Sequence, residues 1–338
     1  MKTWRYIAVV TLFLAACTSM ARVPDLSRQT DVRAFIDKMV QRHGFDRTQL
    51  EAWFKAARVR GAIIDAISRP AESKPWYQYR PIFLQAARIS GGVEFWQRHA
   101  KVLEHAEDVY GVPPQIITAV LGVETRYGNR QGTYRVMDSL ATLAFNYPPR
   151  AAFFKDELEQ YLLLTREEGI DPLSPTGSYA GAMGQAQFIS SSYRHYAVDF
   201  DGDGRRDLWN NTADAIGSIA NYFKEHGWER GGAVAVPATV SGAHPQDLVG
   251  KGLKPSLTVP DLRRQGVRVT DALPEHGLVS LIELEQKAGP EYWVGLQNFY
   301  VITRYNHSPL YAMAVYQLSE EIRAMRNGRL AHSVQSDR

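Results

Sequence analysis

Residues 119–128 read Ala-Val-Leu-Gly-Val-Glu-Thr-Arg-Tyr-Gly, an apolar run that ends in a glutamate four residues before a glycine. Pro113 and Pro114 stand where a helix start tolerates proline. Ile117, Val120, Leu121 and Glu124 then follow at spacings of three and four, which puts Glu124 on the apolar face of that helix. A carboxyl on such a face loses hydration, and the negative end of the helix dipole, ahead of an αL cap at Gly128, acts in the same direction. Both effects favour the protonated form, which is what a general acid needs. The structural alternative is a buried glutamate paired with Arg126, Arg130 or Arg135, and the segment alone leaves both readings open.

Outward from this segment, the chain of 338 residues is long enough for one large domain or two to three smaller ones. Met1–Arg5 is basic and Tyr6–Ala16 is apolar, too short for a stable membrane span and suited to a secretory signal. The run closes on Leu14-Ala-Ala-Cys17, the pattern of a lipobox with Cys17 as the lipidated residue. Cys17 is the only cysteine, so neither a disulfide nor a cysteine metal site competes for it. Thr18 and Ser19 carry no aspartate retention signal, so the expectation is the periplasmic side of the outer membrane. Removing residues 1–16 takes away Lys2 and Arg5 and no acid, which lowers the net charge from +3 to +1. That gives no electrostatic footprint for nucleic acid. A G-x-S-x-G elbow, an H-E-x-x-H helix and a P-loop are all absent from the sequence.

Residues 17–30 read as a tether and 31–110 as a helical domain, with Val32, Phe35, Ile36 and Met39 at helical spacing. Residues 111–231 continue helical, broken by turns at 146–149 and 171–177. From 232 to 298 short alternating runs (233–237, 267–270, 278–284 and 292–296) separated by Gly and Pro predict a small β-rich insertion. Residues 299–338 return to the core through a helix at 308–326.

With Ala141–Pro148 (ATLAFNYP), 177–193 (GSYAGAMGQAQFISSSY), 215–228 (AIGSIANYFKEHGW) and 298–318 (NFYVITRYNHSPLYAMAVYQL), the opening stretch resembles the lytic murein transglycosylases of glycoside hydrolase family 103. The resemblance is colinear from about residue 30 to 320. It implies a mainly α fold, with a goose-lysozyme-like core, a helical flanking domain and a small β domain. It also implies one catalytic glutamate, on Glu124, cleaving the bond between N-acetylmuramic acid and N-acetylglucosamine with formation of 1,6-anhydromuramoyl ends. Ser178, Met183 and Gln187 are expected beside it, with Tyr79, Tyr222, Tyr305 and Tyr311 in the groove and Asn306 and Arg150 as neighbours. Glu157, Glu159, Glu167 and Glu168 read as solvated helix faces.

Asp199-Phe-Asp-Gly-Asp-Gly-Arg-Arg-Asp207 carries oxygen ligands at the spacing of an EF-hand loop, with Asn210 where a standard loop has glutamate. The resemblance implies a later acid, here Asp214, which gives a structural Ca²⁺ site of Asp199, Asp201, Asp203, the Arg205 carbonyl and Asp214 within an EF-hand-like loop at 199–214. No catalytic cofactor is expected. The expected partners are peptidoglycan strands, the outer membrane through the lipid, and cell-wall synthesis proteins, with the chain itself a monomer. The rival readings are a hydrolytic muramidase and a non-catalytic peptidoglycan-binding lipoprotein.

Overall fold

The computed structural model describes residues 26–336, apart from 69–73, 242–243, 270–272 and 274–276. Residues 1–16, expected to be a signal, and Cys17 lie outside the described residues. A 3₁₀ turn at Leu26–Arg28 leads into six helices: α1 (Thr30–His43), α2 (Arg47–Ala56), α3 (Gly61–Ile67), α4 (Trp76–Phe83), α5 (Ala86–Arg98) and α6 (Ala100–Tyr110). Their amphipathic faces bury Phe35, Ile36, Met39, Leu50, Phe54 and Trp76. No described helix is long and apolar enough to cross a membrane.

Next comes α7 (Pro114–Thr125), the helix of the opening stretch. The sequence reading gave it a single apolar face, but the fold buries it on every side, from Ile116 through Gly122. The helices packed around it are α5, α6, α11 (Thr212–Glu225) and the long final helix α15 (Pro309–Ser336). Between them run α8 (Val136–Asn146), α9 (Ala151–Glu167), α10 (Ser190–Tyr196) and α14 (Gln297–Tyr305). Two short strands, β1 (Tyr134–Arg135) and β2 (Thr176–Gly177), pair antiparallel. The helices on both sides of α7 contribute to one continuous hydrophobic cluster, from Leu26 to Ile322.

All four alternating runs form strands: β3 (Ala235–Val240), β5 (Val267–Val269), β6 (Leu278–Gln286) and β7 (Gly289–Gly295). A fifth strand, β4 (Leu257–Thr258), and two short helices, α12 (Gln246–Val249) and α13 (Val259–Arg264), complete the unit. The antiparallel order is β4-β6-β7-β3-β5. Strand alternation divides the sheet between two cores. Val279 and Leu281 of β6 join a satellite cluster with Val236, Val267 and Val294, whereas Ile282 and Leu284 reach the main core.

Candidate active site

The helix α7 ends at Thr125, and the next three residues are all left-handed: Arg126 (φ 50°), Tyr127 (φ 61°) and Gly128 (φ 83°). The cap is therefore Arg126, two residues ahead of the glycine expected to supply it. For a residue with a Cβ this conformation costs roughly 1–2 kcal/mol. Tertiary contacts hold it in place. The Tyr127 N–H donates to the Leu121 carbonyl at 2.9 Å, and the Tyr127 hydroxyl donates to the Arg88 carbonyl on α5 at 2.6 Å. The Tyr127 ring stacks on Phe95 at 5.6 Å and fills a slot bounded by Gly91, Gly92 and Gly122. A Cβ on Gly122 would lie 2.7 Å from the Tyr127 hydroxyl oxygen. Thr125 ties this turn to the loop after β2, accepting from the Gly128 N–H and donating to the Gln185 carbonyl, both at 3.0 Å.

Glu124, half-buried on the last turn of α7, accepts a hydrogen bond from the Tyr311 hydroxyl at 2.6 Å. Arg135, weighed as a structural partner for Glu124, pairs with Asp138 at 2.5 Å instead. Tyr311 is 3 % exposed and stacks on Tyr305 with centroids 6.4 Å apart and planes 7° from parallel. Burial, and then the neighbouring Glu124 charge, push both phenols well above their ordinary range, so each stays a neutral donor. The Tyr305 hydroxyl donates to the Ala186 carbonyl, and that of Tyr222 to the Arg304 carbonyl at 2.6 Å. Tyr222 in turn stacks on His226 at 4.0 Å. A chain of aromatic rings thus runs from Glu124, which does not itself line it, to an open cavity of about 970 Å³ lined by Arg150, Gln187, Tyr222, Arg304, Tyr305 and Asn306 among others. Arg150 lies over Phe153 at 4.4 Å from the ring centroid. No Asp or Glu lines this cavity among the described residues.

Five of the expected groove residues line that cavity, and four take other positions. Tyr79, 2 % exposed, packs on Trp76 and Phe83 and does not line the cavity. Tyr311 meets Glu124 through its hydroxyl instead of presenting a face to the cavity. Met183, expected in the wall, is fully buried and bridges the backbones of Gly177 and Phe188, which braces the loop from within. Ser178 accepts from the Ala180 and Ala182 N–H groups, a local turn. Gln187, at φ 50°, donates its amide to the Gln131 and Gly184 carbonyls. Among the described residues every non-glycine with positive φ (Arg126, Tyr127 and Gln187) belongs to the two segments beside Glu124. The small residues of 177–188 pack against neighbouring backbone and side chains. A Cβ on Gly184 would lie 2.4 Å from the Leu208 carbonyl oxygen, and one on Gly181 2.6 Å from Leu140.

Two acids read as solvated are buried. Glu157 is 5 % exposed and accepts from the Ser191 N–H at 3.0 Å and the Ser191 hydroxyl at 2.6 Å, capping α10 from outside. Glu159, 7 % exposed, holds Lys38 at 2.5 Å and His43 at 2.7 Å. Glu167 and Glu168 pair with Arg194 and Arg206.

In the acidic loop, oxygens of Asp199, Asp201 and Asp214 lie within 4.8 Å of one another. Asp199 accepts from the N–H groups of Gly202, Asp203 and Gly204, which wraps the loop around its carboxylate. Asp214, fully buried, accepts from Phe200 and Asp207, both at 2.8 Å. Burial, and further the charges of Asp201 and Asp199, push its carboxyl above the usual range. Asp203 turns to the Arg205 N–H at 2.9 Å, outside the convergent trio, and no described contact sets the Arg205 carbonyl beside it.

Residues 27–320 match the transglycosylase SLT domain. The chain belongs to the lytic transglycosylase family. It is 45% identical over 308 residues to membrane-bound lytic murein transglycosylase B of Escherichia coli K12, covering 88% of this chain and 84% of that one. Among solved structures, the catenated lytic transglycosylase SltB1 of Pseudomonas aeruginosa superposes with a TM-score of 0.85 at 51% identity, covering 89% of this chain and all of that one. The E. coli lytic transglycosylase Slt35 in complex with calcium has a TM-score of 0.82 at 45% identity, covering 89% and 95%. This lytic transglycosylase thus shares its fold with relatives over nearly its whole described length.

Proposed function

We propose that this lytic transglycosylase cuts murein glycan strands with Glu124 as its single general acid and base. The observation that carries the reading is the Tyr311 hydroxyl 2.6 Å from the Glu124 carboxyl, where the ring chain from the cavity ends. The acid protonates the glycosidic oxygen between N-acetylmuramic acid and N-acetylglucosamine, and the C1–O bond breaks. The resulting carboxylate then takes the proton of the muramoyl C6 hydroxyl as O6 bonds to C1, so the 1,6-anhydro ring forms without water. A two-carboxylate glycosidase needs a second acid across the substrate. The cavity wall offers arginines and amides there, and Glu157 is committed to capping α10.

The trio Asp199, Asp201 and Asp214 would hold a Ca²⁺ ion as a structural clamp between the loop and the start of α11. Three convergent carboxylates, one of them fully buried, repel one another, and a hard divalent cation removes that repulsion. The N-terminal signal, lipidation at Cys17 and an outer-membrane location facing the periplasm belong to the same reading, as do murein strands as the partner.

The test uses purified murein with the wild-type chain and Glu124→Gln. Products one water lighter than hydrolytic muropeptides from the wild type, and none from the variant, are the expected result. Products that keep the water would make the enzyme a muramidase, and cleavage by the variant would make Glu124 structural.

A further inference from the structure

A second cavity, of about 470 Å³, opens between α4, the β6–β7 hairpin and α15. Tyr77, Arg80, Gln286, Glu291, Trp293 and Gln317 are among the residues lining it, and it shares none with the cavity beside Glu124. Glu320, also in its wall, follows Tyr311 on α15 by nine residues, about two and a half helical turns. The cavity therefore faces away from Glu124, on the opposite side of the helix that carries Tyr311.

Its walls are tied together by their own hydrogen bonds. Glu291 accepts from the Trp293 indole N–H and from the Gln286 amide, both at 2.6 Å. Arg80 donates through Nε to the Gln317 amide oxygen at 2.7 Å, which joins α4 to α15. Trp293 meets the edge of Tyr316 at 6.2 Å, and Trp293, Tyr316 and Tyr77 are all half-buried. Ring surface thus stands beside four planar polar groups: two amides, a carboxylate and a guanidinium. A pyranose needs that combination, because its C–H face lies on an aromatic ring while its hydroxyls and acetamido group bond in the plane of the amides. The volume falls within the range of small-molecule sites. Glu291, Glu320 and Glu321 stand against Arg80, Arg323, which pairs with Glu320, and Lys287, 5.8 Å from the Tyr77 ring centroid, so the charges around the cavity are close to balance, which suits a neutral sugar.

We propose that this cavity is a second glycan site, binding a neutral hexosamine unit of a murein strand outside the cleavage groove. The proposal rests on the murein reading above and gives the β6–β7 hairpin a substrate-facing role. Two sites on one enzyme raise the effective concentration of wall polymer at the catalytic groove without altering the chemistry there.

The experiment titrates the N-acetylglucosamine trisaccharide into the full chain carrying Glu124→Gln, by calorimetry, and repeats it with Gln286→Ala and Gln317→Ala added. Two sites in the parent and one in the variant are expected. In the active chain, the same pair of substitutions should weaken retention on whole sacculi about tenfold while leaving kcat on short soluble strands unchanged. Tyr77→Ala, on the rim of the cavity, gives a second variant should the double substitution lower the melting temperature. A single site in the parent, or unchanged retention in both variants, overturns the proposal. Absence of cleavage by the active chain, together with absence of binding, would overturn the murein reading and this site with it.

Discussion

Glu124 and Glu157 are acids of the same helical core with opposite fates. Glu157 is 5 % exposed, and its carboxylate oxygens are taken up by Ser191, which it caps. Glu124 is half-buried at the last turn of α7, against a phenol held between it and the ring of Tyr305. Burial alone therefore does not mark the acid proposed to react. Neither acid lines the cavity of about 970 Å³: Glu157 is bonded through both carboxylate oxygens to Ser191 in its wall, whereas Glu124 is the more exposed of the two and meets the Tyr311 phenol, whose ring stacks on the wall residue Tyr305.

The comparison is tested most strongly by Glu124→Gln. Activity should fall at least about a thousandfold, roughly 4 kcal/mol of barrier, with the melting temperature nearly unchanged. A comparable loss of stability would return Glu124 to a structural role. Glu157→Ala should invert this pattern, costing about 1–3 kcal/mol in denaturant unfolding while kcat stays close to wild type well below the melting point. Gly122→Ala probes the turn that aims Glu124. The added methyl meets the Tyr127 hydroxyl oxygen at 2.7 Å, so about 1–3 kcal/mol of stability and a fall in kcat should go together. An unaffected variant would mean that the slot relaxes freely. Tyr127→Phe removes only the hydrogen bond to the Arg88 carbonyl and should cost about 1 kcal/mol by the same measurement.

The smallest effect is a pH dependence. Burial raises the Glu157 carboxyl against the bonds from Ser191 that lower it. A carboxyl raised in the folded state binds more protons there than in the unfolded chain, so its contribution to stability falls as pH rises through the carboxylate range. Relative to Glu157→Gln, the wild type should therefore gain stability at pH 4 compared with pH 7. A difference independent of pH would mean that Glu157 titrates alike in both states. In the acidic loop, adding a chelator should lower the melting temperature and calcium restore it, with about 2.7 kcal/mol of stabilisation at a hundredfold excess over Kd. No change would leave the three carboxylates without an ion.

The contrast extends to the cavities on either side of α15. The one beside Glu124 is lined by Arg150, Arg304 and histidines with no acid, and the one behind the helix carries three glutamates against one arginine.

The local pattern determined a good deal. Three-and-four spacing marked the helix bearing Glu124, alternation marked the four longest strands of the sheet, and acid spacing marked the loop at 199–207. These are short-range properties, set by helix and strand periods and by turn chemistry. Tertiary packing decided the partners. Tyr311 stands 187 residues beyond Glu124, and Ser191 stands 34 beyond Glu157. Which acid was solvated and which tyrosine offered a hydroxyl instead of a face depended on such distant neighbours. The cap at Arg126 belongs with them, because a left-handed arginine and tyrosine are disfavoured locally and persist only where Gly91, Gly92 and Gly122 open a slot for the Tyr127 ring.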